Sequence, residues 1–304
     1  MTSLSEEILK KYQVRKTKAQ KTRFIEFMQS KLPELKVEEG GFPRCRNLVQ
    51  GDVEKAEYIL SAHYDTCAVL PFPNFITPKN FLISILYSLL VSIPFFALIF
   101  GLNLLLSRFD LGFWTHELLS LSLFFLFFYF VFIGGRANPH TANDNTSGVV
   151  ALCELMEALS GEELARTAFV FFDHEESGLF GSAFFRKKHK KCLKDKLLIN
   201  LDCVSDGEHI LIVQNRAARR KHGAALSAAF KAGMGKAVHL ERASTTMYPS
   251  DQMGFPCAVA IAALKRSPLF GLYLDRIHTP RDTVFDESNI AFVRDGIKRL
   301  YHFD

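Results

Sequence analysis

Five side chains able to bind a metal stand far apart in the chain, each at the end of an apolar run. They are His63, with Asp65 two residues on, Asp144, Glu176 beside Glu175, Asp202 and His278. Singly they carry little weight, because a lone His or Asp at a strand end is more often structural than a ligand. As a set they balance. Two divalent cations bring four positive charges; the carboxylates of Asp144, Glu176 and Asp202 cancel three, an anion derived from water cancels the fourth, and two neutral imidazoles complete the coordination. The inventory fits a two-zinc hydrolase.

Local settings sharpen the roles. In Ala62-His63-Tyr64-Asp65-Thr66 an extended backbone points His63 and Asp65 the same way, so Asp65 can hydrogen-bond the free imidazole nitrogen and fix its tautomer. Asp144 lies in Ala142-Asn143-Asp144-Asn145-Thr146-Ser147-Gly148, just ahead of an apolar helix, where a carboxylate is held firmly and could give one oxygen to each of two ions. Adjacent glutamates in a loop face different directions, so of Glu175 and Glu176 one can bind metal while the other takes a proton from water. Asp202 closes the run Leu198-Ile199-Asn200-Leu201, and His278 lies in a loop before the final helix. Asn145-Thr146-Ser147 matches a glycosylation sequon, which is set aside because no secretory signal accompanies it.

The elements that must carry these residues alternate strand and helix, the pattern of an α/β sandwich with a largely parallel sheet. Strands are expected at 57–62, 167–173, 197–201, 210–214, 237–241 and 257–264, and helices at 148–159, 179–189, 223–233 and 287–303. His63, the 173–176 segment and Asp202 then fall at the carboxyl ends of strands, where open α/β sheets collect ligands. Residues 1–32 are expected to form a charged amphipathic helix with Ser3 and Glu6 as a capping box, so no cleavable signal peptide is expected and the chain starts in the cytosol. A net charge of +5 comes without any basic–aromatic recognition motif, which argues against nucleic acid. Six cysteines without a Cys-x-x-Cys pair argue against a disulfide framework and against a thiolate zinc site, and point to a reducing compartment.

One region departs from this pattern. Residues 81–106 hold no charge over a length greater than the roughly 20 residues needed to cross a bilayer, and 118–135 form a second uncharged, Phe-rich run. Pro94 is expected to kink the first span, and the turn between them carries Arg108, Asp110, Trp114, His116 and Glu117. His63 precedes the pair and Asp144 follows it, so a shared metal site requires the chain to return to its starting side, as two crossings do. Lys79 and Arg136 flank the pair on the side expected to be cytoplasmic. The domain expectation is a catalytic unit of 1–67 and 137–304 interrupted by a membrane hairpin within 68–136.

The order H-x-D, an Asp in a D-N-x-S-G-like turn, E-E, D and H resembles the M28 family of zinc aminopeptidases, and Glu175-Glu176-Ser177-Gly178-Leu179-Phe180-Gly181-Ser182 is the most specific match. The resemblance implies a three-layer αβα sandwich with a mostly parallel mixed sheet, here carrying an inserted transmembrane α-hairpin. It implies two zinc ions: Asp144 bridging both, His63 and Asp202 completing one, Glu176 and His278 the other. Glu175 would be the general base and Asp65 the orienter of His63. It implies a peptide substrate with a free N-terminus, with the bilayer as the second partner. The family's S-D-H motif appears as Ser250-Asp251-Gln252, and Tyr248 is the candidate donor to an oxyanion. Two alternatives share the scaffold: a glutaminyl cyclase-like acyltransferase, and a membrane-anchored binding module without catalysis. The sequence does not specify an oligomeric state.

Overall fold

The N-terminal stretch folds as two helices, α1 (Ser3–Lys11) and α2 (Lys18–Lys31), in the computed structural model, which describes residues 1–303. The single helix expected over 1–32 breaks because the middle is capped: Thr17 and Gln20 form a capping box that starts α2 afresh. Thr2 rather than Ser3 caps α1, its hydroxyl accepting from the Ser5 amide. Between the helices Arg15 is fully buried, donating through Nε to the Tyr64 carbonyl at 2.5 Å and through Nη1 to Thr146 Oγ1 at 3.1 Å.

The strands in chain order are β1 (Lys36–Gly40), β2 (Cys45–Gln50), β3 (Tyr58–His63), β4 (Thr167–Phe172), β5 (Leu197–Leu201), β6 (His209–Gln214), β7 (Ala237–Arg242), β8 (Ala258–Ser267) and β9 (Gly271–Tyr273). The remaining helices are α3 (Phe81–Leu106), α4 (Phe113–Phe132), α5 (Gly148–Ala158), α6 (Gly161–Ala165), α7 (Phe180–Lys188), α8 (Arg216–Ala229) and α9 (Glu287–Leu300). The sheet runs β1-β2-β4-β3-β5-β8-β6-β7, with β9 on β8. Its centre, β4-β3-β5-β8, is parallel. β3, β4 and β5 are buried at every position, as strands covered on both faces must be. On one face α1, α2, α5, α8 and α9 pack over Tyr58, Leu60, Phe169 and Ile199; on the other, Phe185 of α7 packs with Ile59, Phe172 and Leu198. This is the three-layer αβα sandwich with a mixed, mostly parallel sheet.

Most expected elements are present with small shifts. α8 starts at Arg216 instead of 223, because the Asn215 side chain accepts from the Ala218 amide and caps it. β1, β2 and β9 lie in stretches from which no strand was expected. β1 and β2 form an antiparallel edge, and charged residues on both faces of β1, Glu38 paired with Lys188 and His189 and Glu39 exposed, hide the apolar alternation.

Between β3 and α5 the chain leaves the sandwich as a hairpin of α3 and α4, two helices long and apolar enough to cross a membrane. Barely a tenth of α3 and less of α4 is buried, so their side chains are not those of a soluble core. α4 begins at Phe113, so Trp114, His116 and Glu117 belong to its first turns instead of the connecting turn. Phe95 packs on Phe127 and Phe132, and Asn103 Nδ2 donates to Ser120 Oγ at 3.0 Å across the helix pair. The hairpin base is tied to the sandwich: the Val69 amide donates to the Arg136 carbonyl at 2.8 Å, and Ile76 bridges to Leu274.

Candidate metal centre

The parallel register aligns three strand ends. His63 pairs opposite Phe172, the last residue of β4, and Ser61 opposite Asn200, near the end of β5, so His63, the 173–176 loop and Asp202 emerge at one edge. Asp144 arrives from the buried turn Ala142–Ser147, whose Asp144–Asn145 peptide bond is cis. That turn is held by its own side chains. Asn145 donates to the Leu201 carbonyl at 2.9 Å, Ser147 to the Asn143 carbonyl at 2.7 Å, and Asp282 accepts from the amides of Asn143 and Asp144 at 2.9 and 3.0 Å. His278 comes from the loop before α9, pinned by the two ends of the hairpin insertion: the Leu70 amide donates to its carbonyl at 2.9 Å, and Asn138 Nδ2 donates to the Thr279 carbonyl at 3.0 Å.

All five proposed ligands converge, in two groups that share Asp144. His63 Nε2 lies 3.4 Å from Asp144 Oδ1 and 3.6 Å from Asp202 Oδ1; His278 Nε2 lies 2.9 Å from Asp144 Oδ2 and 3.2 Å from Glu176 Oε2. Asp144 thus turns one oxygen to each group. Glu175 joins His63 and Asp202 in a cluster whose ligand atoms lie within 4.8 Å of one another. Five described non-glycine residues have left-handed backbone, and three of them, His174, Cys203 and His278, with φ of 58°, 56° and 59°, carry or adjoin site side chains, where such strain characteristically gathers; the others are Leu179 and Met234.

The electrostatics fit a cation site. Burial opposes charge on His63, but Glu175, Asp144 and Asp202 outweigh it and hold the imidazole well above its ordinary range. His278 is held well above it in the same way, with burial overcome by Glu176 and Asp144. Asp144 lies well below the usual carboxylate range, since hydrogen bonds from both imidazoles overcome its burial. Burial lifts Glu175 well above that range and raises Glu176 and Asp65. Glu176 Oε1 is buried with no hydrogen-bond partner. An orphaned carboxylate oxygen among crowded carboxylates and imidazoles is the donor set that divalent zinc satisfies.

Asp65 works differently from the sequence expectation. His63 Nδ1 meets the main-chain oxygen of Asp65 at 3.0 Å, while the Asp65 carboxylate accepts from the amides of Glu175 and Glu176 at 3.0 and 3.2 Å. The backbone orients the imidazole and the side chain holds the glutamate loop. The Tyr248 hydroxyl lines the pocket and donates to the Asp202 carbonyl at 3.1 Å. Ser250 and Gln252 of the altered motif both face Asn200 Nδ2, at 2.9 and 3.4 Å.

Sequence reasoning passed over several neighbours. Asp282 accepts from the Asp144 amide, and the Asn143 side chain accepts from the amides of Ser205 and Asp206, tying the Asp144 turn to the chain beyond β5. Cys67 lies within ligand distance of Glu176 and His278, and Cys203 within that of Asp144 and Asp202. Burial keeps both thiols protonated, and Cys203 Sγ donates to Asp202 Oδ1 at 3.2 Å. The cysteine spacing, read for short-range pairs, could not reveal thiols brought in by separate strand ends.

The sequence pattern of Peptidase family M28 matches residues 130–296, just over half of the chain. No curated protein matches by sequence. Among solved structures, the fold is similar to a Zn-dependent exopeptidase from Parabacteroides distasonis (TM-score 0.57, 14% identity, covering 98% of this chain and 95% of that one). It is similar to the LapA aminopeptidase of Legionella pneumophila (TM-score 0.57, 13% identity, 98% of this chain and 68% of that one). It is also similar to the glutaminyl cyclase of Porphyromonas gingivalis (TM-score 0.62, 15% identity, 99% and 97%). At such identities the likeness is one of fold, and it agrees with the matched sequence pattern: the chain belongs to peptidase family M28.

Proposed function

We propose that this protein is a membrane-anchored, zinc-dependent aminopeptidase that removes residues from the free N-termini of peptides. The observation that carries this reading is the double use of Asp144, one oxygen beside His63 and the other beside His278. Asp144, His63 and Asp202 would hold one zinc ion, and Asp144, Glu176 and His278 a second. Bound there, zinc supplies Lewis acidity that polarises a carbonyl and acidifies water.

The protein's own side chains do the rest. Glu175 takes a proton from the attacking water as oxygen adds to the scissile carbonyl carbon, then passes it to the amine nitrogen as the C–N bond breaks. Its place beside His63 and Asp202 suits it to that transfer. Asp65 keeps Glu175 and Glu176 in register by accepting from both amides. Asp282 does the same for Asp144. Glu175→Gln should lower kcat by about 10²–10⁴-fold, the usual worth of a positioned base, while zinc content stays at the wild-type level. Wild-type rates in that variant would remove Glu175 from the mechanism.

A cyclase is the second reading, favoured by the fold shared with a glutaminyl cyclase over nearly the full length of both chains. Incubating the protein with a peptide that begins with Gln separates the two: free glutamine released supports the peptidase, a pyroglutamyl product the cyclase. In either case residues 68–136 are an insertion whose α3 and α4 cross the bilayer and return the chain, with the catalytic unit of 1–67 and 137–304 on the cytoplasmic side.

A further inference from the structure

A groove of about 570 Å³ runs from the metal pocket to the end of α4. Tyr129, Phe132 and Ile133, where α4 leaves its apolar run, line it together with Phe180, the first residue of α7, and with Lys16, Lys21, Asp65 and Glu176. Glu176 lines the metal pocket as well, so the groove abuts the reaction centre. Its volume lies within the roughly 300–1,000 Å³ of ligand pockets. The α4 wall is fixed to the sandwich: Lys16 Nζ donates to the Ile133 carbonyl, and Phe72 packs on Phe132 at 5.9 Å between ring centroids.

We propose that this groove receives the N-terminal segment of a peptide that is itself anchored in the bilayer, a substrate class that rests on the aminopeptidase reading above. Three features select that occupant. The aromatic lining suits the apolar residues that follow an N-terminal residue held in the metal pocket, which Glu176 joins to the groove. The α4 wall continues outward into Phe125, Leu126 and Phe130, which are 63%, 52% and 56% exposed, so a chain leaving the groove along α4 stays on an apolar path. Beside the groove, an adjoining cavity that shares Lys16 and Lys21 with it is lined by Glu39 and Asp173, paired with Arg44 and Lys21, and by Lys16, Lys18 and Arg46, which leave a net basic surface suited to anionic headgroups.

The test uses the full chain with zinc in phosphatidylcholine–phosphatidylglycerol vesicles. Three substrates share an N-terminal residue: an aminoacyl fluorophore too short to reach the groove, a peptide with apolar second to fifth residues, and the same peptide carrying a C-terminal lipid. A fourth, equally lipidated, replaces those residues with Ser and Asn and so controls for surface concentration. The expected result is a kcat/KM for the lipidated apolar peptide about tenfold or more above both the soluble apolar and the lipidated polar peptides. Phe180→Glu and Phe132→Ala should each erase most of that advantage and leave fluorophore cleavage unchanged. Equal kcat/KM for lipidated and soluble apolar peptides, or an advantage that survives both variants, overturns the proposal. Failure to cleave even the fluorophore would sink the aminopeptidase reading instead. A photoreactive residue at the third position of the lipidated peptide then still decides the groove: cross-links to 129–134 or 174–180 support it, and cross-links elsewhere overturn it.

Discussion

Asp65 shows what a motif can and cannot reveal. The H-x-D spacing places the two side chains on one side of a strand, and both do serve the site. Yet the strand ends at His63, and beyond it the chain turns so that the Asp65 carbonyl takes the imidazole and the carboxylate takes two amides. That the five proposed ligands come together was legible because each ends an apolar run and carries a metal-binding group. Asp282, Asn143 and Arg15 were not, because their partners are chosen by tertiary contacts that sequence spacing does not encode. The buried acids set a pH dependence for the metal-free chain. Asp251 and Asp282 are pushed up to about 7, chiefly by burial, from an ordinary 3.8. A raised folded pKa means that the folded state binds more protons, so the stability these groups contribute is complete below about pH 4 and is lost as pH rises through about 7. His63 and His278, also raised, act in the same direction, their contribution present below about 6.5 and lost as pH climbs through their folded values. Asp144, held low, contributes above its ordinary value and loses that only in strong acid. Chelated protein in detergent should therefore unfold at progressively lower temperature as pH rises from about 5 to 8. A Tm that climbs over that range would contradict this charge assignment.

At the scale of elements, the site depends on how tightly loops close against strand ends. The 173–179 loop leads into α7, whose second residue is Gly181, where a Cβ would lie 2.0 Å from the Asp173 carbonyl oxygen and 2.6 Å from Asn47 Oδ1. Asn47 already bridges the two segments, donating to the Gly181 carbonyl at 2.9 Å and accepting from the Asp173 amide at 3.0 Å. Gly181→Ala should cost about 1–3 kcal/mol of stability by overpacking. Because the displaced loop carries Glu175 and Glu176, kcat/KM should fall even at temperatures where the variant stays folded. Unchanged kcat/KM in folded Gly181→Ala protein would show that the loop tolerates displacement. The central strands were legible from their unbroken apolar runs, whereas β1, β2 and β9 lie at edges or in short returns where apolar alternation is interrupted. The break between α1 and α2 was missed because the amphipathic pattern resumes after it, and the capping box at Thr17 was the signal that could have located it.

For the whole molecule, the hairpin and the metal centre are one construction. The segments entering and leaving α3 and α4 also hold the His278 loop, through Leu70 and Asn138, so the insertion helps to place a proposed ligand. If both helices cross a membrane, as proposed, they return the chain to the side it left, which is what joining His63 to Asp144 demands. Full-length protein should therefore stay with membranes through alkaline carbonate extraction; release into the soluble fraction would contradict the spanning assignment. The most direct test of the account is metal stoichiometry by elemental analysis, in purified wild type and in Asp144→Asn. Sharing of Asp144 between two groups predicts about two zinc ions per wild-type chain and loss from both positions, to well under one, in the variant. One zinc or none in the wild type, or two retained in Asp144→Asn, would contradict it.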